Sequence, residues 1–157
     1  MKSIARLEVD LTNFGERVIE NVKIAQRDTA KKIWEDVVID APYNTGNYAS
    51  SIQISDTDYD GYTIKTSVYT DATVTAKASG NTYNLGRLLE EGTSPHEIRA
   101  VDAKGLFWGA YDEYGNPIIV KSVQHPGTKA QPHFLPALNR NVALYKSNID
   151  KAVKEAK

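Results

Sequence analysis

The sequence predicts an α+β domain: an antiparallel sheet packed against a long N-terminal helix and a C-terminal helix, with one short helix between strands. Three observations predict it. Apolar residues recur every three or four positions over 13–39 and again from Pro136 onward. Between these stretches, short alternating runs are separated by the turn signals Asp60-Gly61, Gly80-Asn81 and Gly115-Asn116-Pro117. The resulting order of helix, strands, short helix, strands and helix suits helices laid on one face of an antiparallel sheet. A chain of 157 residues has the size of one domain, so residues 1–157 are read as a single unit.

The first helix is expected over 13–39. Phe14, Val18, Val22, Ala25, Thr29, Ile33 and Val37 fall on one face, with Lys31, Lys32, Glu35 and Asp36 mostly on the other. Asn13 is placed to cap it, with Glu16 completing a capping box. Pro42 ends it, because the residue before a proline is pushed out of the helical region. Pro42 to Tyr48 reads as a turn, and a strand starts at Ser51.

Asp56, Asp58 and Asp60 alternate as at the start of an EF-hand loop, with Gly61 at its glycine position. The twelfth position is Ser67, which supplies no bidentate carboxylate, so a polar hairpin turn is the better reading. Residues 62–68 alternate as a half-buried strand, and 73–76 are expected to continue the sheet. The surrounding segment, 70–82, is expected to be exposed and flexible until a neighbour orders it. Leu85, Leu88 and Leu89 mark a short helix over 83–90 that Gly92 stops. Residues 97–101, 106–108 and 118–123 read as strands, the last two forming a hairpin. Pro132 to Pro136 is too rich in proline for a regular element, and the last helix is expected from Pro136, with Ala137, Leu138, Val142, Tyr145 and Ile149 facing the core.

The absence of cysteine excludes disulfide scaffolds, Cys-based zinc or iron–sulfur sites and cysteine nucleophiles. No apolar run approaches the roughly 18 residues of a membrane span, and the first ten residues carry acids where a signal peptide is apolar, so a soluble protein made in the cytoplasm is expected. The formal charge of −1 hides a segregation. Residues 1–40 sum to −1, residues 41–120 to −5 and residues 121–157 to +5. A solvated helix face explains the basic end, and so does contact between copies, acidic middle against basic end.

Few residues offer chemistry. His96, His125 and His133 each stand beside a proline, and a three-histidine metal site is one reading of them. None has the helical spacing of a hydrolase metal motif. No nucleophile elbow or phosphate-binding glycine loop occurs, and Glu90-Glu91 reads as solvated or turn-bonded rather than as an acid–base pair. The nine tyrosines lie among acids or at sheet positions, not interleaved with a dense basic face, so sequence-specific nucleic-acid binding is not expected. No catalytic, cofactor-binding or metal-binding residue is assigned. Two alternatives from other classes are a metal-dependent hydrolase using the three histidines and a cytoplasmic protein-binding module.

Four segments carry a resemblance. They are Pro42-Tyr43-Asn44-Thr45-Gly46-Asn47-Tyr48 followed by Ser51-Ile52; Tyr83-Asn84-Leu85 with Leu88-Leu89-Glu90-Glu91-Gly92-Thr93; Gly105-Leu106-Phe107-Trp108; and His125-Pro126-Gly127-Thr128 through Pro132-His133-Phe134-Leu135-Pro136-Ala137. In this order they resemble the neck and tail-component family of tailed phages and prophages. Tyr48 departs from the leucine that follows Thr-Gly-x in that family, and Leu85-Gly86 replaces an aromatic-Ala pair. Residues 94–124 form a longer insertion than the shortest members have.

The resemblance implies a non-enzymatic virion protein at the head–tail junction, acting in neck formation or tail completion. It implies a ring-like homo-oligomer that docks to head-closure or connector proteins and to tail-terminator or tail-tube proteins. No membrane partner and no cofactor are implied, and the protein would reside in the virion neck or tail. Pro42, Thr45, Gly46, Ser51, Leu89, Glu90, Gly92, Thr93, His125, Pro126, Gly127, Pro132, His133, Phe134, Pro136 and Ala137 are read as scaffold or interface residues of those motifs.

Overall fold

In the computed structural model the chain is described over residues 3–10, 15–43, 46–76, 80–100, 105–107 and 109–156. Its elements are β1 (Ser3–Asp10), α1 (Glu16–Asp40), α2 (Asn47–Ser50), β2 (Ile52–Ile54), β3 (Asp58–Tyr59), β4 (Thr63–Thr70), β5 (Thr73–Thr75), β6 (Thr82–Asn84), α3 (Leu85–Glu91), β7 (His96–Arg99), β8 (Ser122–His125) and α4 (Phe134–Glu155).

The strict alternation in β4 sets the architecture. Ile64, Thr66, Val68 and Thr70 are buried on one face, while the residues between them stay half-buried on the other. β1 pairs antiparallel with β4 along its whole length, from Ser3 opposite Thr70 to Asp10 opposite Thr63. β2 and β3 pair antiparallel with β4 too. Ala5 and Leu7 of β1, Ile52 of β2 and Val68 of β4 meet Ala30, Ile33 and Val37 of α1 and Phe134 and Ala137 of α4 in the main core. Both long helices therefore lie on the same face of the sheet, and they pack closely on each other. A second cluster, Val22, Ile64 and Ala152, closes the other end.

Polar groups fix the helices to the sheet. Gln26, fully buried in α1, donates through Nε2 to the carbonyls of Leu7 (2.9 Å) and Ile64 (3.0 Å), so one side chain ties α1 to both β1 and β4. Asp36 accepts from Lys32 Nζ (2.6 Å) in its own helix and from Asn141 Nδ2 (2.7 Å) in α4. These bonds, Lys32's first, hold the Asp36 carboxyl below the ordinary carboxylate range. A folded-state value below the unfolded one makes the stabilisation complete above about pH 4 and removes it as pH falls through the folded value. The stability difference between wild type and Asp36→Asn, measured by denaturant titration, is therefore greatest near neutral pH and shrinks below about pH 4.

Several sequence expectations are corrected. The N-terminal segment, to which the helical pattern assigned nothing, is the eight-residue strand β1. Its signal is weak because one core position is only alanine, Ala5. The capping box does not form around Glu16, which is the first helical residue behind Gly15, a cap with no side-chain bond. Asn13 and Phe14 lie outside the described residues. Residues 73–75 do not extend the main sheet but pair with β6 in a separate exposed hairpin, and the short helix starts two residues later than expected, at Leu85. Asn84 caps that helix, accepting from the Arg87 N–H at 2.8 Å.

The expected hairpin of 106–108 with 118–123 is displaced. The continuous pairing runs between β7 and β8, from His96 opposite His125 to Arg99 opposite Ser122, and only single bridges join Leu106 to Val120 and Tyr111 to Pro117 beyond it. Trp108 lies outside the described residues. The last helix begins at Phe134, before Pro136, which is tolerated because first-turn N–H groups lack helical partners anyway. In the Asp56–Gly61 turn, Asp60 accepts from the N–H groups of Tyr62 (3.0 Å) and Thr63 (2.8 Å).

Candidate functional site

Most of the motif residues meet at one junction, where α3, the base of the β7–β8 ribbon and the start of α4 come together beneath α2. Its centre is the Glu90 carboxylate at the end of α3. Oε2 accepts from the backbone N–H groups of His133 (2.8 Å) and Phe134 (3.1 Å), and Oε1 from that of Leu135 (3.0 Å). A helix opens with unpartnered N–H groups and a partial positive charge. Here the anion that satisfies them comes from more than forty residues away in sequence. The expectation that Glu90 is solvated or turn-bonded is thus replaced by a tertiary cap. Glu91 points out and pairs with Arg87 instead.

His133 is fully buried beside it. Its Nδ1 faces the Gln131 carbonyl at 2.8 Å, which can only accept, so Nδ1 carries a proton. Nε2 lies 2.7 Å from the Tyr48 hydroxyl. In the neutral ring Tyr48 donates to Nε2. Burial first, and the Glu90 charge second, push the Tyr48 phenol far above its ordinary value and hold it protonated. Tyr48 is presented by α2, which opens at Gly46 with φ +78°. Ser51 locks that turn, its hydroxyl donating to the Tyr48 carbonyl (2.6 Å) and lying 2.8 Å from the Thr70 hydroxyl at the end of β4. Phe134 and Ala137 enter the core directly below.

The base of the ribbon is clamped to the same place. Thr93 and Thr128 exchange backbone bonds of 2.9 and 3.1 Å, and the Thr93 hydroxyl also accepts from the Thr128 N–H at 2.8 Å. The Gln131 N–H donates to the Leu89 carbonyl at 2.7 Å. Gly92 (φ +71°) and Gly127 (φ +83°) make the approach possible. A Cβ on Gly92 would stand 2.5 Å from the Thr128 carbonyl oxygen, and one on Gly127 would overlap the Thr93 carbonyl oxygen. His125 turns back so that its Nδ1 accepts from the Gly127 N–H at 3.1 Å.

The structure thus brings together Gly46, Ser51, Leu89, Glu90, Gly92, Thr93, His125, Gly127, His133, Phe134 and Ala137. Pro126 follows His125 into the clamp, Pro132 leads into His133, and Pro136 occupies the first turn of α4. Pro42 follows α1 directly, and Thr45 lies outside the described residues. Tyr48, in the sequence only a departure from a family pattern, is the partner that the motifs do not reveal. The pairing of a tyrosine there with a histidine at 133 is the signal that could have found it.

The arrangement is satisfied rather than reactive. Each hydrogen-bonding atom of the Glu90, His133 and Tyr48 side chains already has a partner within the fold, and the His133 ring has no solvent-accessible surface. The histidines do not converge as a trio. The His96 and His125 rings lie side by side across the ribbon, 5.0 Å between centroids, while His133 is committed to Tyr48 and Gln131. Among the described residues no group of three or more His, Cys, Asp or Glu side chains is gathered to hold a metal ion. Among them, too, no helix is long and apolar enough to cross a membrane.

Among the described residues Tyr48 is the only partner of Nε2, so Tyr48→Phe leaves a buried acceptor unpaired. It is expected to cost about 1–3 kcal/mol, measured by denaturant titration, with His133→Phe in the same background recovering part of the loss.

The chain matches no family model, no curated protein and no solved structure.

Proposed function

We propose that this chain is a non-enzymatic structural protein of a tailed bacteriophage or prophage virion, acting at the head–tail junction in neck formation or tail completion. It works by oligomerising, as a ring-like assembly of copies, and by docking to head-closure or connector proteins on one side and tail-terminator or tail-tube proteins on the other. One observation carries this reading. Residues from three of the four segments on which the resemblance rests, scattered over some ninety residues of sequence, meet at one junction in which Glu90 caps α4 and Gly92 and Gly127 seat the ribbon. Shared motifs of this kind preserve a scaffold, and function then lies in the surfaces that the scaffold presents.

Those surfaces suit contact with other proteins. Phe107, Tyr111 and Tyr114 stand exposed on the ribbon, and aromatic side chains of this kind are enriched in interface cores. The basic residues of the +5 end that lie on α4, including Lys146, Lys151 and Lys154, are exposed as well. A ring is built from one face of each subunit meeting a different face of the next, so such an asymmetric distribution favours it.

The test is deletion of the encoding gene from the phage or prophage, followed by electron microscopy of the lysate and complementation from a plasmid. Separate heads and tails that join again on complementation support the reading. Infectious, properly joined particles formed without the protein refute it.

A further inference from the structure

Between Gly105 and Val120 the only charges are Asp112 and Glu113, set among Leu106, Phe107, Tyr111, Tyr114, Ile118 and Ile119. In a folded chain such a segment normally buries its aromatic groups. Here it does not. Tyr111 is 60% exposed and Tyr114 81%. Phe107 packs edge-on against Tyr111, with centroids 5.4 Å apart, and β7 and β8 pack chiefly on each other. Two strands alone are marginal in water. Exposed aromatics at the end of such a ribbon are therefore contact groups awaiting a surface.

A matching surface lies on the same chain, between α1 and the edge strand β2. It is a groove of 620 Å³ whose apolar lining is Trp34, Ile52 and Ile54. Arg27 and Lys31 stand on its rim, beside Asp28. Arg27 reaches the exposed Asp56 at 3.9 Å, a weak surface pair. No further strand lies outside β2 among the described residues. The indole N–H of Trp34 covers one outward carbonyl of that edge, Ile52, at 2.9 Å. Groove and ribbon end are thus complementary in two respects: an apolar channel with cations on its rim, and an aromatic tip whose only charges are acids.

We propose that the end of the ribbon of one copy docks into the α1–β2 groove of a second copy. The contact joins two different surfaces, so repeating it builds a ring or a filament rather than a two-fold dimer. This deepens the proposed assembly and rests on that reading, since it names the surfaces by which copies meet.

The chain's lack of cysteine gives a clean test. Single-cysteine variants Tyr114→Cys and Gln53→Cys, both at exposed positions, are purified separately, mixed and oxidised. Lys146→Cys, exposed on α4, replaces Gln53→Cys in a control mixture. The expected result is a disulfide-linked pair from the 114/53 mixture at least about tenfold more abundant than from the 114/146 mixture. In parallel, Arg27→Glu is expected to weaken self-association about tenfold and Glu113→Arg in the same chain to restore it, read by light-scattering mass.

Equal cross-linking in both mixtures, or none, overturns the docking. If the wild-type mass still rises to a defined multiple in that case, the assembly reading stands and only the choice of surfaces falls. A chain that stays monomeric at every concentration and cross-links nowhere overturns the docking, while the gene deletion still judges the virion role separately.

Discussion

Glu90→Ala lowers the stability of the fold by about 3 kcal/mol, with a fall in Tm of roughly 6–12 °C for a chain of this size. The magnitude follows from what the carboxylate does. Three backbone N–H groups lose their acceptor together, and those of His133 and Phe134 belong to buried residues. An ordinary N-cap deletion costs about 1 kcal/mol because water replaces the lost side chain. Here two of the three donors belong to buried residues, where water replaces the lost acceptor less readily, and the bonds are charge-assisted. Glu90→Gln keeps one acceptor oxygen but turns an amide N–H₂ toward backbone donors, so it is expected to fall between wild type and Ala. Glu91→Ala, one residue along, removes only the exposed pair with Arg87 and is expected to change stability by less than about 0.5 kcal/mol. Parallel denaturant titrations of the three variants check the ranking.

Gly127→Ala is expected to be at least as damaging, on the order of 3–4 kcal/mol. Two costs combine. The backbone is held at φ +83°, where a side chain is strained, and the new Cβ would overlap the Thr93 carbonyl oxygen, a backbone atom fixed by the Thr93–Thr128 exchange. Gly115→Ala isolates the first cost. It has the same φ of +83° but no atom within 4 Å of the added Cβ, so it is expected to cost only about 1 kcal/mol. A Gly127→Ala loss no larger than the Gly115→Ala loss would mean that the ribbon base yields easily and is no clamp.

The two long helices and the central strand were legible in the sequence because each carries a long, regular pattern, although on α4 Val142, expected on the core face, is exposed and Asn141 is buried. Val22, Thr29, Ile33 and Val37 are buried as the helical spacing requires, and the alternation around Ile64 and Val68 sets β4. Short elements were less legible. β1 hides behind a small core residue, Ala5, and the pairing partner of β7 could not be chosen from local pattern, because register across a loop of over twenty residues is set by tertiary contacts. The motif positions were visible as residues but not as a site. Nothing in the local sequence around Glu90 says that its oxygens reach the N–H groups of 133–135, and nothing around His133 points to Tyr48. Those bonds exist only once α2, α3 and α4 are packed together.

The proposed function requires this fold to assemble with copies of itself. The most direct measurement is the light-scattering mass of the purified wild-type chain across a wide range of concentration and at two salt levels. The prediction is a mass that climbs from that of one chain, 17.4 kDa, to a fixed multiple and falls back as salt rises, because contact between unlike charges is screened. A mass that stays at one chain throughout would contradict it.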